Sequence, residues 1–111
     1  MTAAPVRYVL LIYRNERDEQ NSPPGPYDVA ELGSGAGVLD DHRLAANHAT
    51  TTVRTTAGGL LVQDGPFAPA GVPLSRLCVV DLPDLDDALS TAVRLAGWAA
   101  AVEIRPLRAV R

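Results

Sequence analysis

PDLDDALSTAVRLAG, residues 83–97, is the stretch on which the fold turns. Asp84 is a good helix N-cap with Pro83 before it, and Asp86 and Asp87 sit at the positive end of the helix dipole. Leu85, Ala88, Leu89, Ala92, Val93 and Ala96 recur at helical spacing and mark the face expected to be buried. Gly97 supplies the stop, and Trp98 reads as an anchor for the helix end. The flanks are extended. SRLCVVDL, residues 75–82, is nearly continuous in apolar residues. AAVEIRPL, residues 100–107, alternates instead, with Val102 and Ile104 on one side and Glu103 and Arg105 on the other.

Working outward, VRYVLLIYR at residues 6–14 is apolar at almost every position and rich in β-formers. A continuous run rather than an alternating one means that both faces are covered, so this strand is expected at the centre of its sheet. NERDEQNSPPGP, residues 15–26, is polar and closed by prolines, the pattern of a stiff surface loop. YDVAEL, residues 27–32, is at most two helical turns before Gly33. GVLDDHRL then resumes an extended pattern. ATTTVRT and LLVQD, joined by Ala57-Gly58-Gly59, predict a hairpin. The order is strand, short helix, two or three strands, long helix, strand. That is a single α+β domain over residues 1–111, a split βαβ unit of the ferredoxin-like kind.

Composition narrows the function classes. The chain is 47% hydrophobic and 21% charged, the balance of an ordinary globular protein, with aromatics at only 5%. The core is therefore expected from Val, Leu, Ile and Ala. A net charge of −3 with scattered arginines argues against a nucleic-acid partner, which needs clustered cations. The apolar run near the N-terminus is too short for a membrane helix and lacks a signal-peptide cleavage pattern, so a cytoplasmic protein with no membrane partner is expected. The one cysteine, Cys78, excludes an intramolecular disulfide and a cysteine-based zinc site, and its setting predicts a buried strand thiol. GSGAGV, residues 33–38, lacks the preceding strand and the sixth-position glycine of a dinucleotide loop. No cofactor is expected.

Several polar groups are candidates for chemistry. Asp40, Asp41 and His42 stand in a row, and on a strand only Asp40 and His42 face the same way. Their spacing to His48 is not that of a helical two-histidine site, so no metal is expected. His42 and His48 are still the side chains whose ordinary titration lies near neutral pH. Arg54 and Gln63, on the predicted hairpin, are candidates to orient a polar or anionic ligand. Tyr8 and Tyr13 fit a core role with a satisfied hydroxyl. Asp64 carries two readings. Asp64-Gly65 is a turn signal; a carboxylate half-buried beside Phe67 would instead have a raised pKa and serve as a general acid or base.

LLVQDGPFA, together with YVLLIYRNE, TTVR and VVDLPDLDDAL…VEIRPL, resembles the YCII-related family, in particular the branch named after its Asp-Gly-Pro-Phe motif. The likeness covers the first strand and most of the chain from Val38 to Leu107. It implies a ferredoxin-like fold whose subunits pair sheet against sheet as a dimeric α/β barrel, with a small-molecule pocket near the interface. In that family an aspartate matching Asp64 and a histidine of the first helix are thought to form an acid–base pair. Some members are lyases or dehalogenating enzymes on small aromatic acids or lactones, and others accompany transcription regulators. This chain departs in two places. Only YDVAEL stands where the family has a long first helix, and no histidine precedes His42. The segment Pro69-Ala70-Gly71-Val72-Pro73 replaces a charged stretch after the motif. The resemblance thus leaves two expectations. One is a homodimeric enzyme using Asp64, with His42 or His48 as its imidazole and Arg54, Gln63, Phe67 and Tyr8 around a ligand. The other is a non-catalytic ligand-binding or accessory dimer.

Overall fold

The computed structural model describes residues 4–15, 17, 37–67, 71–96 and 99–108. These form an α+β arrangement: β1 (Val6–Tyr13), β2 (Gly37–Arg43), β3 (Thr51–Thr56), β4 (Gly59–Asp64), β5 (Leu74–Leu82), α1 (Leu85–Ala96) and β6 (Ala101–Pro106). A single 3-10 turn, Asn47–Ala49, leads into β3. The expected short helix at residues 27–32, Gly97 and Trp98 lie outside the described residues.

The main sheet has the order β2-β5-β1-β6, and β3-β4 forms a separate two-stranded sheet. All neighbours in the main sheet are antiparallel. β1 therefore runs in the same direction as β2 with β5 between them, and β5 in the same direction as β6 with β1 between them. This is compatible with the split βαβ pattern of a ferredoxin-like fold. The centre falls on β1 and β5, the two strands with nearly continuous apolar sequence, as burial on both sides requires.

Register divides the sheet into two faces. Tyr8, Leu10 and Ile12 of β1 stand opposite Val80, Cys78 and Arg76 of β5, and opposite Pro106, Ile104 and Val102 of β6. The core lies on this face: Leu10, Ile12, Cys78 and Val80 are fully buried together with Leu95 of the helix. Burying each of the larger aliphatic side chains contributes roughly 1.5–3 kcal/mol. The other face carries Val9, Leu11, Leu77 and Val79, which are half-buried. An irregularity in register between Val38 and Asp40 places Leu39 as the extra residue of β2. Ser75, itself buried, donates its hydroxyl to the Ile12 carbonyl at 3.2 Å and ties β5 to the centre of the sheet.

Helix α1 begins where the sequence predicts. The Asp87 amide donates to the Asp84 carboxylate at 2.9 Å, so Asp84 is the cap. The face it buries is turned from the one expected. Ala88, Thr91, Ala92 and Leu95 pack inward, whereas Leu85, Leu89 and Val93 are exposed. The small residues of this stripe permit close approach to the sheet, and Leu95 is the one large apolar side chain the helix buries, in a core that Val38, Val102 and Ile104 also line. Thr91 suits the buried stripe because its hydroxyl is satisfied by the Asp87 carbonyl at 3.0 Å.

Candidate functional site

The β3–β4 hairpin gathers most of the residues singled out from the sequence. Register pairs Thr51 with Asp64, Thr52 with Gln63, Val53 with Val62, Arg54 with Leu61 and Thr55 with Leu60. Alternation then places Asp64, Val53, Val62 and Leu60 on one face, and Gln63, Arg54 and Leu61 on the other. Asp64 and Arg54 are exposed and Gln63 is half-buried. Phe67 follows the hairpin and is 66% exposed.

Asp64 sits where the strand ends. Gly65 has φ +96°, a backbone conformation that side-chain-bearing residues rarely adopt, so glycine is required there. The turn is closed by other groups than the Asp64 side chain. The Gly65 amide donates to the Thr50 carbonyl, and the Thr52 hydroxyl donates to the Gly65 carbonyl, each at 2.7 Å. The Asp64 carboxylate makes no hydrogen bond or ion pair with a described residue. It is exposed, as is Phe67, so the half-buried setting expected for it is not found.

The histidines stand elsewhere. His42 lies on β2 with its Nε2 3.4 Å from Asp40, both side chains well exposed. The two do share a face, as strand alternation predicts. His48 is exposed on the 3-10 turn. Among the described residues no ion pair joins Asp64 to an imidazole. Tyr8 is part of the core beside Leu10 and Val80, near the beginning of β1, whereas the hairpin leaves and rejoins the sheet where β1 ends. Thus Gln63 and Arg54 share one face of the hairpin, Asp64 stands on the other, and Tyr8, His42 and His48 are not joined to either.

Sequence reasoning missed a polar cluster on the helix-covered face. Asp41 points opposite to Asp40 and His42, in register with Cys78. Its carboxylate accepts from Arg76 Nε at 2.6 Å and also from Arg76 Nη2, a bidentate pair, and from the Cys78 thiol at 3.3 Å. The Arg76 side chain is nearly buried and that of Asp41 about three-quarters so. The Arg76 hydrogen bonds hold the Asp41 carboxyl below its ordinary range, against the opposing effect of burial. Burial first, then the adjacent Asp41 carboxylate, pushes the Cys78 thiol up to about 12. A thiol so protonated is no nucleophile at neutral pH. Strand alternation alone would put Asp41 opposite Val38; the extra residue at Leu39 reverses the parity and turns Asp41 to the same face as Val38.

At the other end of the sheet, Arg7 and Asp81 form an ion pair at 2.9 Å. They border a shallow groove of about 690 Å³ lined also by Pro5, Val6, Leu107 and Arg108. None of the predicted site residues lines it. Among the described residues no group of histidine, cysteine and carboxylate side chains is arranged to hold a metal ion, and no helix is long and apolar enough to cross a membrane.

No family model matches the chain, and no curated protein matches it. The likeness to YCII-related proteins rests on the residues quoted from the sequence.

Proposed function

We propose that the chain is a small homodimeric ligand-binding module of the YCII-related, Asp-Gly-Pro-Phe kind, in which two ferredoxin-like sheets face each other as a dimeric α/β barrel. The observation that carries this reading is the second face of the sheet. Helix α1 packs over Tyr8, Leu10 and Ile12, while Val9, Leu11, Leu77 and Val79 on the opposite face have no helix over them among the described residues. A strand as apolar as β1 is expected to have both faces covered, and a second sheet is the cover that leaves the fold unchanged.

Ligand binding is favoured over acid–base catalysis. An exposed carboxylate with no imidazole in ion-pair reach among the described residues lacks the proton relay that such catalysis needs. Arg54 and Gln63 supply a cation and an amide on one face of the hairpin, a pair suited to a small carboxylic acid or lactone, while Asp64 lies on the other face.

The test is a thermal-shift screen of small aromatic acids and lactones against wild type, Arg54→Gln and Asp64→Asn, with the mass in solution measured by sedimentation. The reading expects a dimer, near-identical melting of the three unliganded proteins, and a ligand shift that is reduced in Arg54→Gln. A monomer at all concentrations would refute the assembly. Turnover of a hit that disappears in Asp64→Asn would replace binding with catalysis.

A further inference from the structure

The helix-free face of the main sheet is ordered in rows. Register aligns Asp40 of β2, Val79 of β5, Val9 of β1 and Arg105 of β6 side by side. The next row is His42, Leu77, Leu11 and Glu103. On the other side of the first row, Asp81 of β5 stands beside Arg7 of β1. Apolar residues thus fill the centre, and charge marks both edges and one end. The signs alternate. On β2 the carboxylate stands in the first row and the imidazole in the second, whereas on β6 the cation comes first and the carboxylate second. Asp40 is paired with His42 and Arg105 with Glu103, so each edge is a small dipole, and the two point in opposite directions along the strands.

We infer, on the dimeric reading given above, that this pattern fits a second copy of the chain turned about a two-fold axis parallel to the strands, with charge fixing the orientation and register of the two sheets. Such an axis, passing between β5 and β1, lays β2 on the partner's β6 and β5 on the partner's β1, and it keeps each row opposite itself. Asp40 then faces the partner's Arg105, and Asp81 faces the partner's Arg7. His42, a donor in either protonation state, faces the partner's Glu103. In the centre Val79 lies over the partner's Val9 and Leu77 over the partner's Leu11.

Other arrangements match less well. A slip of one row sets Asp40 against the partner's Glu103 and Arg105 against the partner's His42. An axis across the strands still opposes unlike charges at the edges, but it lays Arg7 and Asp81 on the far end of the partner's sheet, where Tyr13 and Leu74 stand. Twist leaves the match intact. Packed sheets turn by about 30°, which displaces Arg7 and Asp81, half a strand spacing from the axis, by only about 1 Å. At the edges the offset is about 4 Å, and the long Arg105 and Glu103 side chains take it up. Because each edge dipole is already paired within its strand, its contribution is more to orientation than to affinity.

The experiment is sedimentation equilibrium at pH 7 on wild type, Asp40→Arg, Arg105→Glu, an equimolar mixture of those two variants, and Leu11→Lys in the apolar centre. Circular dichroism checks that each variant folds. In a dimer of Asp40→Arg, both edge contacts become cation on cation; in a dimer of Arg105→Glu, both become anion on anion. The expected result is a wild-type dimer and a loss of about tenfold in dimer affinity for each charge variant alone. The mixture should return to within about threefold of wild type, because in the mixed dimer both edges again oppose unlike charges. A wild-type dimer that Leu11→Lys weakens and the charge variants leave unchanged would overturn the charge match and spare the sheet-against-sheet assembly. Charge variants that weaken the dimer without recovery on mixing would overturn the axis proposed. A monomeric wild type, or a dimer that none of the variants weakens, would overturn both readings.

Discussion

Asp40 and Asp41 are adjacent in sequence, yet substituting each by asparagine should have very different results. Asp41 is the bidentate acceptor for Arg76, and Arg76 is nearly buried. Removing one member of a buried pair costs about 3–5 kcal/mol, because the remaining charge stays in a low-dielectric setting. Since the Asp41 side chain retains 24% of its exposure, water reaches the site and the lower end applies, about 3 kcal/mol. A domain of this size loses about 4 °C of melting temperature per kcal/mol. Asp41→Asn should therefore melt about 12 °C below wild type. Asp40→Asn, on the open face with a well-exposed His42 neighbour, should stay within about 0.5 kcal/mol of wild type. A double variant, Asp41→Leu with Arg76→Met, should recover much of the loss, since apolar replacement of both partners removes the desolvation penalty. Calorimetry on the four proteins is the assay. If Asp41→Asn melts with Asp40→Asn, the buried pair is not holding β2 to β5 and the reasoning is wrong. The pH dependence has a fixed direction. The folded Asp41 pKa lies below its ordinary value of 3.8. The pair's contribution is therefore complete above the unfolded-state pKa and is lost as pH falls through the lower, folded-state one. In Asp41→Asn that segment of the acid-unfolding curve should flatten.

Three further outcomes are expected. Asp84→Ala removes the cap on the Asp87 amide and should cost about 1 kcal/mol, read as a fall in chemical-denaturation midpoint at unchanged slope. Gly65→Ala forces a side chain into φ +96°, with no neighbouring atom within 4 Å of the new Cβ. The loss, on the order of 1 kcal/mol from backbone strain alone, should show as faster hydrogen exchange at the root of the hairpin. Cys78 is buried and its thiol is pushed up to about 12. It should resist an aromatic disulfide reagent in native protein at pH 8 and react promptly in denaturant; equal rates would show an open thiol.

The fold was legible wherever one physical signal dominated. Asp84 followed by helical periodicity located α1, and Val102/Ile104 alternating with Glu103/Arg105 located β6 with its inward face. Continuous apolar sequence placed β1 at the centre. The rotation of α1 was less legible because both Leu85/Leu89/Val93 and Ala88/Thr91/Ala92/Leu95 follow helical spacing. Hydrophobicity favours the first set, and closeness of approach to the sheet selects the second. The site was harder to read for a similar reason. A turn aspartate and a functional one look alike in sequence, and in the structure the Thr52 hydroxyl and the Thr50 carbonyl close the turn that Asp64 was expected to close. Asp41 was hidden among its charged neighbours. Its burial depends on Arg76 arriving from a strand distant in sequence, and no local pattern encodes that partner.

The extra residue at Leu39 has a consequence for how the protein behaves when crowded. β2 and β6 are the outer strands of the main sheet, and each would otherwise offer unpaired amides and carbonyls to any extended peptide. On β2 the bulge interrupts that ladder, and Asp40 and Arg43 follow it with charge. On β6, Glu103 and Arg105 supply charge, and Pro106 ends the strand without an amide to give. Fibrillar stacking through strand edges is thus blocked at both sides. Variants that straighten β2 by deleting Leu39 should be the ones that precipitate on storage.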